Sequence, residues 1–176
     1  GDAPLSTETY AYNVLQSLPK DAILFTNGEM DTYPLIYQMQ ENGSAGIKVI
    51  SIAFCAREEN RVALFRNAGL ILSENDKSSI IDTDFIARLA EANPGKKIYI
   101  ASTCGGDFLE SMKWQLHCTG LAFRYSTAPV DHLVFLRNNV GTKMKLDGVG
   151  KAVKSTHRFD LNTASKLEMN YYLPLL

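Results

Sequence analysis

The stretch AILFTNGEMDTYP, residues Ala22–Pro34, opens as an apolar run, stops at Thr26-Asn27-Gly28, passes through a short acidic turn and enters an amphipathic helix. A strand that gives way so abruptly to polar residues before a helix is how an α/β fold sets polar groups at the carboxyl edge of a parallel sheet, where such folds bind ligands.

The chain on either side repeats this rhythm. Upstream, Ala11, Val14, Leu15 and Leu18 recur at helical spacing across Thr7–Leu18, and Pro19 closes that helix. Downstream, Asp31 or Thr32 can cap a helix with Pro34 in its first turn, and Gly43-Ser44-Ala45-Gly46 ends it. The tripeptide Asn42-Gly43-Ser44 fits a glycosylation sequon but reads more simply as a turn. Ile47–Phe54 alternates little and predicts a second strand buried on both faces. A helix over Glu58–Ala68, a polar surface connection over Leu70–Asp82 and a helix from Asp82 or Thr83 to Ala92 follow, with Pro94-Gly95 as the stop before a third strand at Lys97–Ser102. Gly105-Gly106-Asp107 leads into a helix with Leu109, Met112 and Leu116 on one stripe, ending near Gly120, and Leu121–Ser126 predicts an edge strand. Beyond Ala128 the rhythm changes to a short element at Val130–Leu136, a loop over Gly141–Gly150 and a helix over Leu161–Tyr172.

Strand-helix alternation with connections of this length implies right-handed crossovers. The expectation is a three-layer, Rossmann-like α/β fold: a mostly parallel sheet of four to five strands with helices on both faces, forming one domain over residues 1–176 in which 128–176 is a less regular extension. Ile23, Phe25, Val49, Ile50, Ile98 and Ile100 are predicted to be the buried centre of the sheet.

Composition narrows the function. Lysine and arginine total 18 against 19 acidic residues, with no basic run, so a nucleic-acid partner is not expected. No apolar run approaches the roughly 20 residues that cross a bilayer, so no transmembrane segment is expected in this chain. Cys55, Cys104 and Cys118 are too few for a disulfide framework, and with His117, His132 and His157 they lack metal-ligand spacing; no metal or cofactor is expected.

The predicted strand ends carry three polar loops, Thr26–Asp31, Cys55–Glu58 and Ser102–Asp107, whose union is the candidate site. Its candidate ligand-binding residues are Asn27, Glu29, Asp31, Arg57, Thr103 and Asp107: carboxylates and an amide to accept from hydroxyls or hold a cation, and a guanidinium to donate. Capping alone also explains these residue types at strand-to-helix junctions. Cys55 and Arg61 have the C-x5-R spacing of cysteine phosphatases, where a thiolate at a helix N-terminus attacks and an arginine clamps the phosphoryl group. Glu58 and Glu59 lie between them and would repel a dianion, and no glycine lets the backbone wrap around it. The turn Thr103-Cys104-Gly105-Gly106-Asp107 lacks both the GxGxxG pattern and a Walker lysine.

The run LPKDAILFTNGEMDTYPLIYQMQ followed by IKVISIAF resembles the soluble portion of large bacterial multi-span membrane proteins related to protein O-mannosyltransferases. There a similar strand leads into a turn usually written TNGDNDT, then a proline and an aromatic helix. Here Glu29 and Met30 replace the Asp-Asn pair, while Thr26, Asn27, Gly28, Asp31 and Thr32 keep the pattern. IYIAS, GLAFRYSTAPVD and the terminal NYYLPLL are similar too. In that family the catalytic part is membrane-embedded and precedes this portion, so transferase activity does not carry over. The resemblance implies a periplasmic or otherwise extracytoplasmic location, compatible with membrane anchoring before processing, and a link to glycan or envelope processes. The expected function is thus a binding or accessory module for a small polar molecule or an envelope protein, the alternative being a hydrolase of a phosphoester or sugar.

Overall fold

In the computed structural model the residues described are 6–44, 46–78, 81–82, 84–140, 142–147, 149 and 170–171. Helix α1 (Thr7–Gln16) starts where the Ser6 hydroxyl accepts the Thr9 amide at 3.1 Å, and it buries Tyr10, Ala11, Asn13, Val14 and Leu15. Strand β1 (Ala22–Thr26) is buried along its whole length. Helix α2 (Glu29–Asn42) follows and ends at Gly43, whose φ of 69° is the left-handed turn that glycine takes at least cost. The Asn42 side-chain amide donates back to Gln38 within the last turn of the helix.

Strand β2 (Lys48–Ser51) is shorter than predicted: Cys55 N–H turns back onto the Ile52 carbonyl at 3.1 Å, and Phe54–Ala56 forms a 3-10 turn. Helix α3 (Glu58–Asn67) comes next, then a short α4 (Glu74–Ser78) inside the stretch predicted as plain connection, then α5 (Phe85–Ala92) and strand β3 (Lys97–Ala101). Helix α6 (Gly106–Ser111) stops early. The chain passes through a 3-10 turn at Lys113–Gln115 into β4 (Leu116–Cys118), turns, and returns as β5 (Ala122–Tyr125) before α7 (His132–Val140). The predicted helix over Leu161–Tyr172 lies, apart from residues 170–171, outside the described residues.

The architecture is α/β around an open five-stranded sheet in the order β2-β1-β3-β5-β4. The sheet is mixed, not mostly parallel. β1 pairs in parallel with β2 (Leu24 opposite Val49) and with β3 (Leu24 opposite Tyr99), whereas β5 runs antiparallel to β3 (Ile100 opposite Phe123) and to β4 (His117 opposite Arg124). The cause is the connection between β4 and β5: Thr119-Gly120-Leu121 is far shorter than the dozen residues a parallel crossover needs. β3 and β4 therefore run the same way, and β5 folds back into the gap between them. The predicted edge strand is an inner one, and the edge is β4, in residues predicted as the tail of a helix.

The predicted sheet centre is buried: Ile23, Phe25, Ile50, Ile98 and Ile100 are each at most 3 % exposed. Val49 is only partly buried because β2 is an edge strand. Phe25 of β1 packs tilted at 5.8 Å against Phe65 of α3, which meets Phe85 of α5 edge-on at 5.6 Å, so one chain of rings ties β1 to two helices.

Candidate functional site

The β1–α2 turn is organised by one carboxylate. Asp31, in the first turn of α2, accepts the Asn27 and Gly28 amides at 2.9 Å each, one on each oxygen, and the Thr103 hydroxyl from the β3–α6 loop bonds to the oxygen that Asn27 uses. Gly28 caps the helix without a side chain, so Asp31 performs the reciprocal half of a capping box and also joins two strand-end loops. With three donors on a carboxylate 6 % exposed, Asp31 is a clasp between loops. Beneath it the Thr32 hydroxyl donates to the Gly28 carbonyl. Its oxygen is then free to accept from Thr26 at 2.7 Å.

A second link runs under the β3 end. Ser102 donates to the Leu121 carbonyl at 3.1 Å, which leaves its oxygen to accept from the Tyr10 phenol, also at 3.1 Å. Burial drives the Tyr10 pKa well above the ordinary phenol value, in keeping with a phenol that stays a donor. The serine, the tyrosine and the Leu121 turn thus connect α1, β3 and the hairpin, and no spacing in the sequence announced the contact.

The candidate residues divide. Asp31 and Thr103 are brought together, with Asn27 contributing its backbone amide; the side chains of Asn27, Glu29, Arg57 and Asp107 are exposed. Among the described residues, no hydrogen bond or ion pair joins Glu29, Arg57 or Asp107 to the clasp or to one another. Glu29 and Asp107 stand in the first turns of α2 and α6, where the helix dipole favours negative charge, and Arg57 occupies the N-cap position of α3.

The thiols are poor nucleophiles here. All three are free; Cys55 is fully buried, and burial pushes its pKa up to about 12 against the opposing charge of Arg61. Cys104 is raised further by burial and by the charge of Asp31, and it donates to the Phe25 carbonyl at 3.7 Å. Among the described residues, no three metal-ligating side chains gather.

A surface the sequence reading did not single out lies on the outer face of α2. That helix buries only Asp31, Thr32 and Leu35, while Met30, Tyr33, Ile36 and Tyr37 are 39–56 % exposed. Tyr33 leans on Phe54 at 5.9 Å. Residues at this spacing usually mark a core face, so sequence alone assigns them inward. Contiguous exposed apolar side chains are instead a mark of interaction surfaces.

Residues 7–58 match the family TMEM260-associated domain 2. The matched segment holds α1, β1, the whole clasped turn apart from Thr103, all of α2, and β2 with its 3-10 turn. No curated protein matches the chain, and no solved structure does. No helix among the described residues is long and apolar enough to cross a membrane.

Proposed function

We propose that this chain is a binding or accessory module that docks a TMEM260-type membrane protein through the outer face of α2. The observation that carries this reading is the exposed set Met30, Tyr33, Ile36 and Tyr37, on a helix whose start is held rigid by the Asp31 clasp and which lies wholly inside the segment matching TMEM260-associated domain 2. Half-exposed tyrosines on a rigid helix supply large contact area at little entropic cost and retain a polar tip, as residues that anchor interfaces do. In this reading the parallel half of the sheet, β2-β1-β3, is the Rossmann-like part, with helices layered on both faces, and its carboxyl edge presents Asn27 and Glu29 beside the aromatic face. The extracytoplasmic location and the link to glycan or envelope processes rest on the resemblance of the TNGEMDT turn to the O-mannosyltransferase-related proteins. A hydrolase reading gains nothing from thiols that burial keeps protonated.

The test is binding of the purified chain to a purified TMEM260-type membrane protein in detergent. The double variant Tyr33→Ser/Tyr37→Ser should keep its unfolding midpoint, because both rings are half exposed, and bind about tenfold or more weakly. Equal binding by the variant removes α2 from the interface. Absence of binding by the unaltered chain, or self-association through the same face, removes the reading.

A further inference from the structure

Among the described residues, Arg61 is 2 % exposed, and its Nε and Nη1 have no hydrogen-bond partner in the protein. Nε carries one proton and Nη1 two, so most of a guanidinium's donors are unspent in a place where burial of an unbonded charge is strongly unfavourable. A counter-charge is nearby. Asp76 of α4, 3 % exposed, feels the charge of Arg61, but its hydrogen bonds go elsewhere: to Arg88 Nε at 2.9 Å, Arg88 Nη2 at 2.7 Å and the Ser73 hydroxyl at 2.6 Å. Arg61 thus has its charge opposed at a distance and the donors on Nε and Nη1 unused. Ser51, at the end of the strand leading into this turn, also has a buried hydroxyl without a partner, at 1 % exposure.

We infer that Arg61 anchors a site for a small tetrahedral oxyanion of the phosphate or sulfate type, with Asp76 as the internal counter-charge such an anion displaces. An oxyanion gives Arg61 what Asp76 does not, several acceptor oxygens along with the charge, and four oxygens suit donors that point in more than one direction better than the single planar edge of a carboxylate. The charge objections to the C-x5-R segment fall away for binding, as distinct from catalysis: Glu58 and Glu59 are exposed, and the buried Cys55 stays a neutral thiol; with no glycine in the segment, side-chain rather than backbone donors would hold the anion. Helix α4, fastened by Asp76 to Arg88 and by Arg88 to Asp82 at 3.1 Å, is the element that has to yield. The site is separate from the face of α2 and does not depend on it.

The experiment compares phosphate, sulfate, acetate and chloride at equal ionic strength on the full chain, reading the thermal midpoint and the phosphate affinity by calorimetry. Phosphate and sulfate should raise the midpoint where chloride and acetate do not. Arg61→Met should lose the effect, and Asp76→Asn should bind phosphate about tenfold more tightly by removing the competing charge. If Arg61→Met does not fold, Arg61→Lys serves, since it keeps the charge but not the fork of donors, and should weaken phosphate about tenfold or more. Equal midpoints in phosphate and chloride, a phosphate effect that survives at Arg61→Met, or a phosphate affinity undiminished at Arg61→Lys overturns the site; an acetate effect equal to that of phosphate overturns the tetrahedral class.

Discussion

The two halves of the sheet are built on different logic. In β2-β1-β3 each strand is delivered by a long connection, neighbours are parallel, and β1 is buried from end to end, apolar up to its final Thr26. In β3-β5-β4 a three-residue turn reverses the chain, and β4 and β5 show mostly half-buried side chains. The first half is specified by hydrophobic content; the second is specified by backbone pairing and one turn. A parallel strand needs apolar residues on both faces, which is visible in any single sequence, whereas a short antiparallel strand can be assembled from nearly any residues once a neighbour offers an open edge.

The largest effect should come from the core of the parallel half. Ile50→Ala removes a fully buried side chain and should cost about 2–5 kcal/mol in denaturant unfolding, whereas Trp114→Ala, at an 84 % exposed position leading into β4, should cost under about 0.5 kcal/mol. Comparable losses at the two positions would erase the contrast.

The hairpin half should break at its turn instead. Gly120 has φ of 124°, and a Cβ there would lie 2.6 Å from Ser17 Oγ, the atom that also accepts the Leu121 amide at 3.0 Å. Gly120→Ala should cost about 1–3 kcal/mol from backbone strain alone. A stability unchanged to within error would mean that the turn relaxes freely and does not hold β5 in place.

Asp31 tests the junction of the halves, because Thr103 follows the strand they share. Asp31→Ala strands two amides and should cost about 1–3 kcal/mol. Asparagine ordinarily caps as well as aspartate, but here each carboxylate oxygen takes its own amide, so Asp31→Asn should recover little of the loss. Full rescue by asparagine would show that one of the two bonds carries nothing.

Alkali acts on the parallel half gradually, through Cys55 just beyond β2. The Cys55 thiol is raised in the folded state, so its contribution is fully present below the unfolded thiol value of about 8.5 and is lost as pH climbs from there toward about 12. The slope is at most about 1.4 kcal/mol per pH unit for one thiol. Unfolding midpoints from pH 8 to 10 should fall less steeply in Cys55→Ala than in the parent chain; parallel curves would mean that this thiol is not what alkali acts on.

How much the sequence reveals follows the same division. The strand ending at Thr26, its buried neighbours and the helices Glu58–Asn67 and Phe85–Ala92 are readable because apolar periodicity and proline or glycine stops coincide there. β4 is not, because Leu116 completes a helical stripe with Leu109 and Met112 and only pairing with β5 makes it a strand. At the site, the residue type of Asp31 was informative and its partner Thr103, 72 positions away, could be placed only by the loop that carries it. Arg61 was visible as half of a motif, but its unspent donors belong to packing and leave no trace in spacing.

Asn13 imposes an order on how the protein is made. Its buried amide exchanges two 2.7 Å hydrogen bonds with the backbone of Lys145, in addition to one of 2.6 Å with the Tyr171 phenol. Helix α1 is synthesised well before Lys145 and Tyr171, 132 and 158 positions downstream of Asn13, so its inner face cannot be completed until more than a hundred further residues have been made, and an early helix is among the last to be finished. Shortening the chain at its C-terminal end should therefore be felt as fraying at its N-terminal end.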